Sequence, residues 1–125
     1  MEKLGVIEAK FADRIWECAP VTSSELVHIG EEMFSWKRTT VHTVLKRLCD
    51  KGLFENDHGT VRIRISREEY YAGQSCQFVE ENFDGSLPAF IAAFVGGRKI
   101  TPAEAVKIRK MIDSAENISE TEDIV

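Results

Sequence analysis

The chain has 125 residues, 43% of them hydrophobic and 30% charged, with a formal net charge of −5. That length gives room for one domain, or for a small domain with an appendage. The acidic total argues against nucleic acid and against an anionic membrane surface as partners, and no run of about 18 apolar residues exists to cross a bilayer.

The opening Met1-Glu2-Lys3-Leu4-Gly5-Val6-Ile7-Glu8 is broken by acids and lacks the apolar core of a signal peptide. Cys18, Cys49 and Cys76 are odd in number and widely spaced, which is no disulfide framework. The expectation is a cytoplasmic chain with reduced thiols.

Between Gly5 and Cys18, the residues Val6, Ile7, Phe11, Ile15 and Trp16 recur at helical spacing, and Ala19-Pro20 ends the run. Thr22-Ser23-Ser24-Glu25 is a capping box. Its helix reaches about Phe34 and turns Leu26, Val27, Ile29 and Met33 inward. A third helix spans about Arg38 to Lys51, with Val41, Val44, Leu45 and Leu48 as its buried stripe and Gly52 as its stop. Thr39, Thr43, Lys46 and Asp50 lie on the opposite face, flanked by Thr40, His42 and Arg47.

Val61, Ile63 and Ile65 alternate with Arg62 and Arg64, the period of a half-buried strand, and Asp57-His58-Gly59 is a hairpin turn. Ser66-Arg67-Glu68-Glu69 is a second capping box, opening a helix to about Asn82 that stops near Gly85. A short helix runs from about Ser86 to Val95 and ends at Gly96-Gly97. Thr101-Pro102-Ala103-Glu104 is a third box, with Pro102 at the first helical position. Val106, Ile108, Met111 and Ile112 mark the last helix, and the acidic tail from Glu116 is expected to fray.

The predicted class is therefore mainly α. Residues 1–66 read as a winged helix-turn-helix, three helices plus a β-hairpin wing. Residues 67–116 read as a helical dimerisation region, and 117–125 as an acidic tail. Phe78, Val79, Phe83, Leu87, Phe90, Ile91, Phe94, Val95, Ile108, Met111 and Ile112 are too many apolar groups for such a short region to bury alone. Packing against a symmetric mate would bury them; packing onto the winged helix is the competing account.

The charge is not evenly spread. Residues 1–35 hold 3 basic and 7 acidic groups, residues 36–67 hold 8 and 3, and residues 68–125 hold 5 and 11. The basic block is the third helix plus the wing, the two elements that a winged helix lays on DNA. Thr39, Thr40, His42 and Thr43 can reach phosphates or base edges, and Lys37, Arg38, Lys46, Arg47, Arg62 and Arg64 can neutralise phosphates. The same partition permits a winged-helix protein-interaction module without DNA binding.

Catalytic and metal-binding signatures are missing. The three cysteines show no C-x-x-C spacing and make no metal-type pattern with His28, His42 and His58. No nucleophile elbow, phosphate loop or zinc-protease motif occurs, so neither an enzyme nor a cofactor is expected. Each cysteine reads as a small buried hydrophobe, and Trp16 and Trp36 as packing residues.

Four stretches resemble the penicillinase-repressor family of bacterial winged-helix repressors. They are Leu4-Gly5-x-x-Glu8 with Ile15-Trp16, the string Thr40-Val41-His42-Thr43-Val44-Leu45-Lys46-Arg47-Leu48-x-x-Lys51-Gly52-Leu53, Ser66-Arg67-Glu68-Glu69-Tyr70, and Gly85-Ser86-Leu87 followed by Phe94. The second string is the most specific, and together they cover most of the chain. Phe11-Ala12 departs from the family's usual Val-Met step.

The resemblance implies a homodimer, formed through the C-terminal helices, on a two-fold symmetric double-stranded operator. It also implies, for β-lactamase-type members, inactivation by cleavage before a Phe, triggered indirectly by a membrane sensor metalloprotease. The matching bond here is Ala93-Phe94, where Ala stands in place of the family's Asn. The copper-responsive branch carries a C-terminal Cys-x-Cys pair, and this chain has no Cys after Cys76, which argues against metal sensing.

Overall fold

A computed structural model describes residues 4–124, with side chains described from Leu4 to Glu116. The order is α1 (Val6–Cys18), β1 (Val21–Thr22), α2 (Ser23–Phe34), α3 (Arg38–Asp50), β2 (Phe54–Asp57), β3 (Thr60–Ile63), α4 (Arg67–Phe83), α5 (Leu87–Gly97) and α6 (Pro102–Ile124). Three helices, a hairpin and three helices are thus in place.

The core is built from one stripe of each N-terminal element. Phe11, Ala12 and Ile15 of α1 meet Leu26 of α2 and Val41, Val44, Leu45 and Leu48 of α3. Val21, Leu53, Phe54 and Val61 close it from the sheet side. Of the apolar residues that recur along α1, Val6 and Ile7 are exposed, and Leu4 is buried at that end instead. Met33 is exposed too, since the Phe34 and Trp36 rings, 4.5 Å apart, already fill the end of α2.

The sheet has three antiparallel strands in the order β1-β3-β2. Val21 pairs with Val61 and Thr22 with Thr60. Phe54 pairs with Ile63 and Asp57 with Thr60. The strand β1 is absent from the sequence reading because two residues are too few to show a period. A second correction concerns β3: Val61 is buried but Ile63 is exposed, and Ile63 lies beyond the two residues, Thr60 and Val61, that β1 pairs with. The turn is a two-residue loop with positive φ at His58 (51°) and Gly59 (91°), the backbone twist that tight hairpins favour.

Hydroxyl caps start four of the helices. Thr22 accepts from the Glu25 amide, Ser66 from Glu69, Ser86 from Ala89 and Thr101 from Glu104, each at 3.1 Å. Ser86 is a cap that no box motif announces. The last helix continues to Ile124 rather than ending near Glu116, since no Gly or Pro follows Pro102 to stop it.

The two halves meet at an aromatic joint. Trp16 Nε1 donates to the Ile65 carbonyl at 2.9 Å, and its ring lies 5.2 Å from Phe54 and 5.9 Å from Tyr70. The Leu4 amide donates to the Tyr70 hydroxyl at 3.2 Å. Arg67 pairs with Asp13 at 2.9 Å and lies over the Tyr71 ring. Tyr70 is the one buried residue of α4, and α5 has none.

Candidate nucleic-acid interface

The pose of α3 is set by what lies behind it. Ser35 takes a left-handed conformation (φ 56°) and ends α2. The chain then turns through Trp36, whose amide donates to the Gly30 carbonyl at 3.2 Å. The Trp36 ring packs edge-on against Phe11 at 5.2 Å, so it braces the turn from inside. Gly30 is buried, and a Cβ placed there would lie 2.5 Å from the Val41 Cγ2. Only a glycine lets α2 and α3 approach this closely.

With Val41, Val44, Leu45 and Leu48 turned inward, Thr39, Thr40, His42, Thr43, Lys46 and Arg47 are all exposed on the outward arc. The Thr43 hydroxyl donates to the Thr39 carbonyl at 2.9 Å, which leaves its lone pairs outward as acceptors. The helix is N-capped by Lys37, which makes no side-chain cap hydrogen bond. Its first-turn amides therefore stay open at the positive end of the helix, beside Lys37 and Arg38.

The cations fall into two groups. Lys37, Arg38, Arg62 and Arg64 make no ion pair among the described residues and are exposed. Lys46 pairs with Asp50 of its own helix at 3.6 Å. Arg47 lies 4.0 Å from Glu8 of α1, whose other oxygen is 3.3 Å from Lys51. Glu8 stands in the quoted motif, but its pairing with α3 depends on tertiary packing and has no local signal. The outward arc thus offers an open N-terminal end and a C-terminal end whose cations already have carboxylate neighbours.

On the wing, Arg62 faces Glu55 in register and Arg64 follows on the same side two residues later. The Arg64 amide donates to the Leu53 carbonyl at 3.0 Å, which ties the strand's exit to the core. His58 sits at the tip with a ring nitrogen 2.7 Å from the Asp57 carboxylate.

The cysteines divide differently from the sequence reading. Cys18 and Cys49 are half-buried, and burial pushes both thiols up. Cys76 is exposed, which corrects its assignment as a buried hydrophobe: it lines the open groove between α4 and α5 rather than a packed core. Among the described residues no cluster of His, Cys, Asp or Glu could hold a metal ion, and no helix is long and apolar enough to cross a membrane.

The C-terminal helices carry the second cluster. Phe78, Phe83 and Phe90 lie 5.6–6.1 Å apart in a tilted and edge-on trio, with Phe94 6.3 Å from Phe90. Phe78, Leu87, Ile91, Phe94, Ile108, Met111 and Ile112 remain exposed, while Phe83 and Phe90 are half-buried. A groove of about 700 Å³ between α4 and α5 is lined by Phe78, Val79, Leu87 and Phe90. Ala93 and Phe94 lie inside α5, and Arg98 rests over the Phe94 ring at 5.2 Å.

The penicillinase repressor family model matches residues 4–114, from the first buried residue to the middle of α6. The chain belongs to the penicillinase repressor family. A relative, the penicillinase repressor of Bacillus licheniformis, is 21% identical over 108 residues, which cover 82% of this chain and 84% of the relative. The matched segment spans both the winged helix and the aromatic groove, so this family member shares more than a helix-turn-helix with the repressors. Membership makes it a protein of a transcriptional-repressor family rather than of an enzyme family.

Proposed function

We propose that this chain is a dimeric repressor that reads a two-fold symmetric DNA operator through α3 and the wing. The carrying observation is the outward arc of α3, where Thr39, Thr40, His42, Thr43 and Lys46 stand exposed beside Lys37 and Arg38. In this reading Lys37 and Arg38, with the open amides beside them, grip one phosphate run, and Arg62 and Arg64 grip the flanking backbone. The hydroxyls and His42 face the base edges. The acidic remainder of the chain limits contact to that one face.

The second half supplies the mate. Phe78, Phe83, Leu87, Phe90, Ile91 and Phe94, together with Ile108, Met111 and Ile112, form the self-complementary surface of a homodimer. Two reading heads then act on one operator with the avidity that a single small module lacks. Inactivation by cleavage at Ala93-Phe94, triggered indirectly by a membrane sensor metalloprotease, belongs to the same reading. It requires the turn of α5 that holds this bond to open first. Mass spectrometry of the chain from derepressed cells checks it, and an intact chain removes it.

The test of DNA binding is fluorescence anisotropy on duplexes covering the region upstream of the chain's own gene, at several salt concentrations. Wild type is expected to bind with a steep salt dependence. Lys37→Ala/Arg38→Ala is expected to reduce the salt slope by about 2, roughly 1 per phosphate contact. Absence of any salt-dependent binding would overturn the reading in favour of a protein-docking winged helix.

A further inference from the structure

We propose that Glu8 is a positioning residue for the DNA-reading face: it fixes α3 against α1 and holds Arg47 out of the set of cations that neutralise phosphate. The proposal rests on the DNA-binding reading above. Its physical basis is how the carboxylate divides its two oxygens. Oε2 lies 3.3 Å from Lys51 Nζ, and Oε1 lies 4.0 Å from Arg47 Nη1.

The two cations are held differently. The Lys51 side chain is only 16% exposed, as deep as Glu8 itself at 23%. A pair so sheltered is poorly screened by salt, and it acts as a strut between the start of α1 and the end of α3. Arg47 is 60% exposed and at the outer limit of an ion pair, so its guanidinium could swing outward to a phosphate if nothing held it. Lys46, one residue earlier, is neutralised from within α3 by Asp50, both side chains being well exposed. Of the carboxylates paired with the cations of α3 among the described residues, Glu8 is the one that reaches across from another helix, and so it ties Arg47 to the frame of the domain.

Glu8 is itself placed by its helix. It lies in the first turn of α1, whose N-cap Gly5 makes no side-chain hydrogen bond. A carboxylate there is favoured by the positive end of the helix. A Cβ on Gly5 would come within 4.0 Å of Glu8 Oε1, so the side chain folds back over that end. The carboxylate thus sits where the positive end of α1, Lys51 and Arg47 converge.

The measurable consequence is in the salt slope. A cation that stays on a carboxylate of its own domain neutralises no phosphate and releases no counterion from the DNA, whereas an unpaired one does. The test is the slope of log affinity against log salt for wild type, Glu8→Gln, Arg47→Ala and the double variant on one duplex. Wild type and Arg47→Ala are expected to share a slope, Glu8→Gln to be steeper by about 1, and the double variant to return to the wild-type value.

Arg47→Ala lowering the slope by about 1 in the wild-type background would overturn the proposal. That arm does not depend on how well a Glu8 variant folds. Glu8→Gln that binds with the wild-type slope would overturn it as well. Wild type that shows no salt-dependent binding would overturn the DNA reading first, and the role of Glu8 with it.

Discussion

Gly30 lies so close to Val41 that a single methyl group cannot be added between α2 and α3. Gly30→Ala is therefore expected to destabilise the domain by about 1–3 kcal/mol, the usual cost of overpacking a tight contact. Ordinarily an alanine would favour a helix interior over glycine, so the sign is the informative outcome. Urea unfolding monitored by circular dichroism measures it. Gly30→Ala/Val41→Ala is expected to lose less than the sum of the two single changes, because the second change removes the methyl that the first one meets.

The wing is expected to grip phosphate without reading sequence. Arg62→Ala/Arg64→Ala should weaken binding to matched and scrambled duplexes alike and reduce the salt slope by about 2. Anisotropy on both duplexes checks this. A loss confined to the matched duplex would place the two arginines at base edges instead.

The groove beside Phe78 and Phe90 is expected to close against a second chain. Sedimentation at micromolar concentration should give a particle of twice 14.1 kDa. Phe90→Asp should give monomers that keep the cooperative unfolding of the winged helix, since Phe90 is not among the residues of that core or packed against it. A wild-type monomer at that concentration would sink the dimer.

Acid should loosen the junction between α5 and α6. Glu104 accepts two hydrogen bonds from Arg98, at 2.8 and 3.2 Å, and one from the Thr101 amide at 3.1 Å. Arg98 first, then the Thr101 amide and hydroxyl contacts, hold its carboxyl down to about 2, against an ordinary 4.5. The folded value lies below the unfolded one, so the contact contributes stability above pH 4.5 and loses it as pH falls towards 2. Carboxyl titration by NMR reads the midpoint directly, and Arg98→Met is expected to move it up towards the ordinary value. A Glu104 that already titrates normally in wild type would mean that the pair does not form in solution.

Local chemistry carried most of the fold. The three capping boxes at Thr22, Ser66 and Thr101 each accept the expected amide. The stripe Val41, Val44, Leu45 and Leu48 is buried as its period requires. The outward arc of α3 was legible for the same reason, since the face opposite a buried stripe is fixed by geometry. What stayed hidden depends on partners far along the chain. The strand β1 exists only because β3 pairs with it. Ile63 keeps the period of the strand but is exposed, since the elements that would pack on its face come from elsewhere in the chain. The sequence places Arg47 on a flank of the arc, but nothing local reveals that a glutamate from the first helix faces it.

The joint around Trp16 has a mechanical meaning beyond its packing. Its indole holds the Ile65 carbonyl, while its ring touches Phe54 on the wing side and Tyr70 at the base of α4. Asp13 and Arg67 lock the same place from outside. These contacts tie the winged helix to the first turn of α4. In a two-fold particle such a stiff coupling acts as a ruler. It would turn the separation of two C-terminal helices into a set distance between two grooves of DNA, about 34–36 Å for successive turns. Softening the joint, with Trp16→Leu for example, would leave each head able to bind while blurring the half-site spacing that the pair accepts.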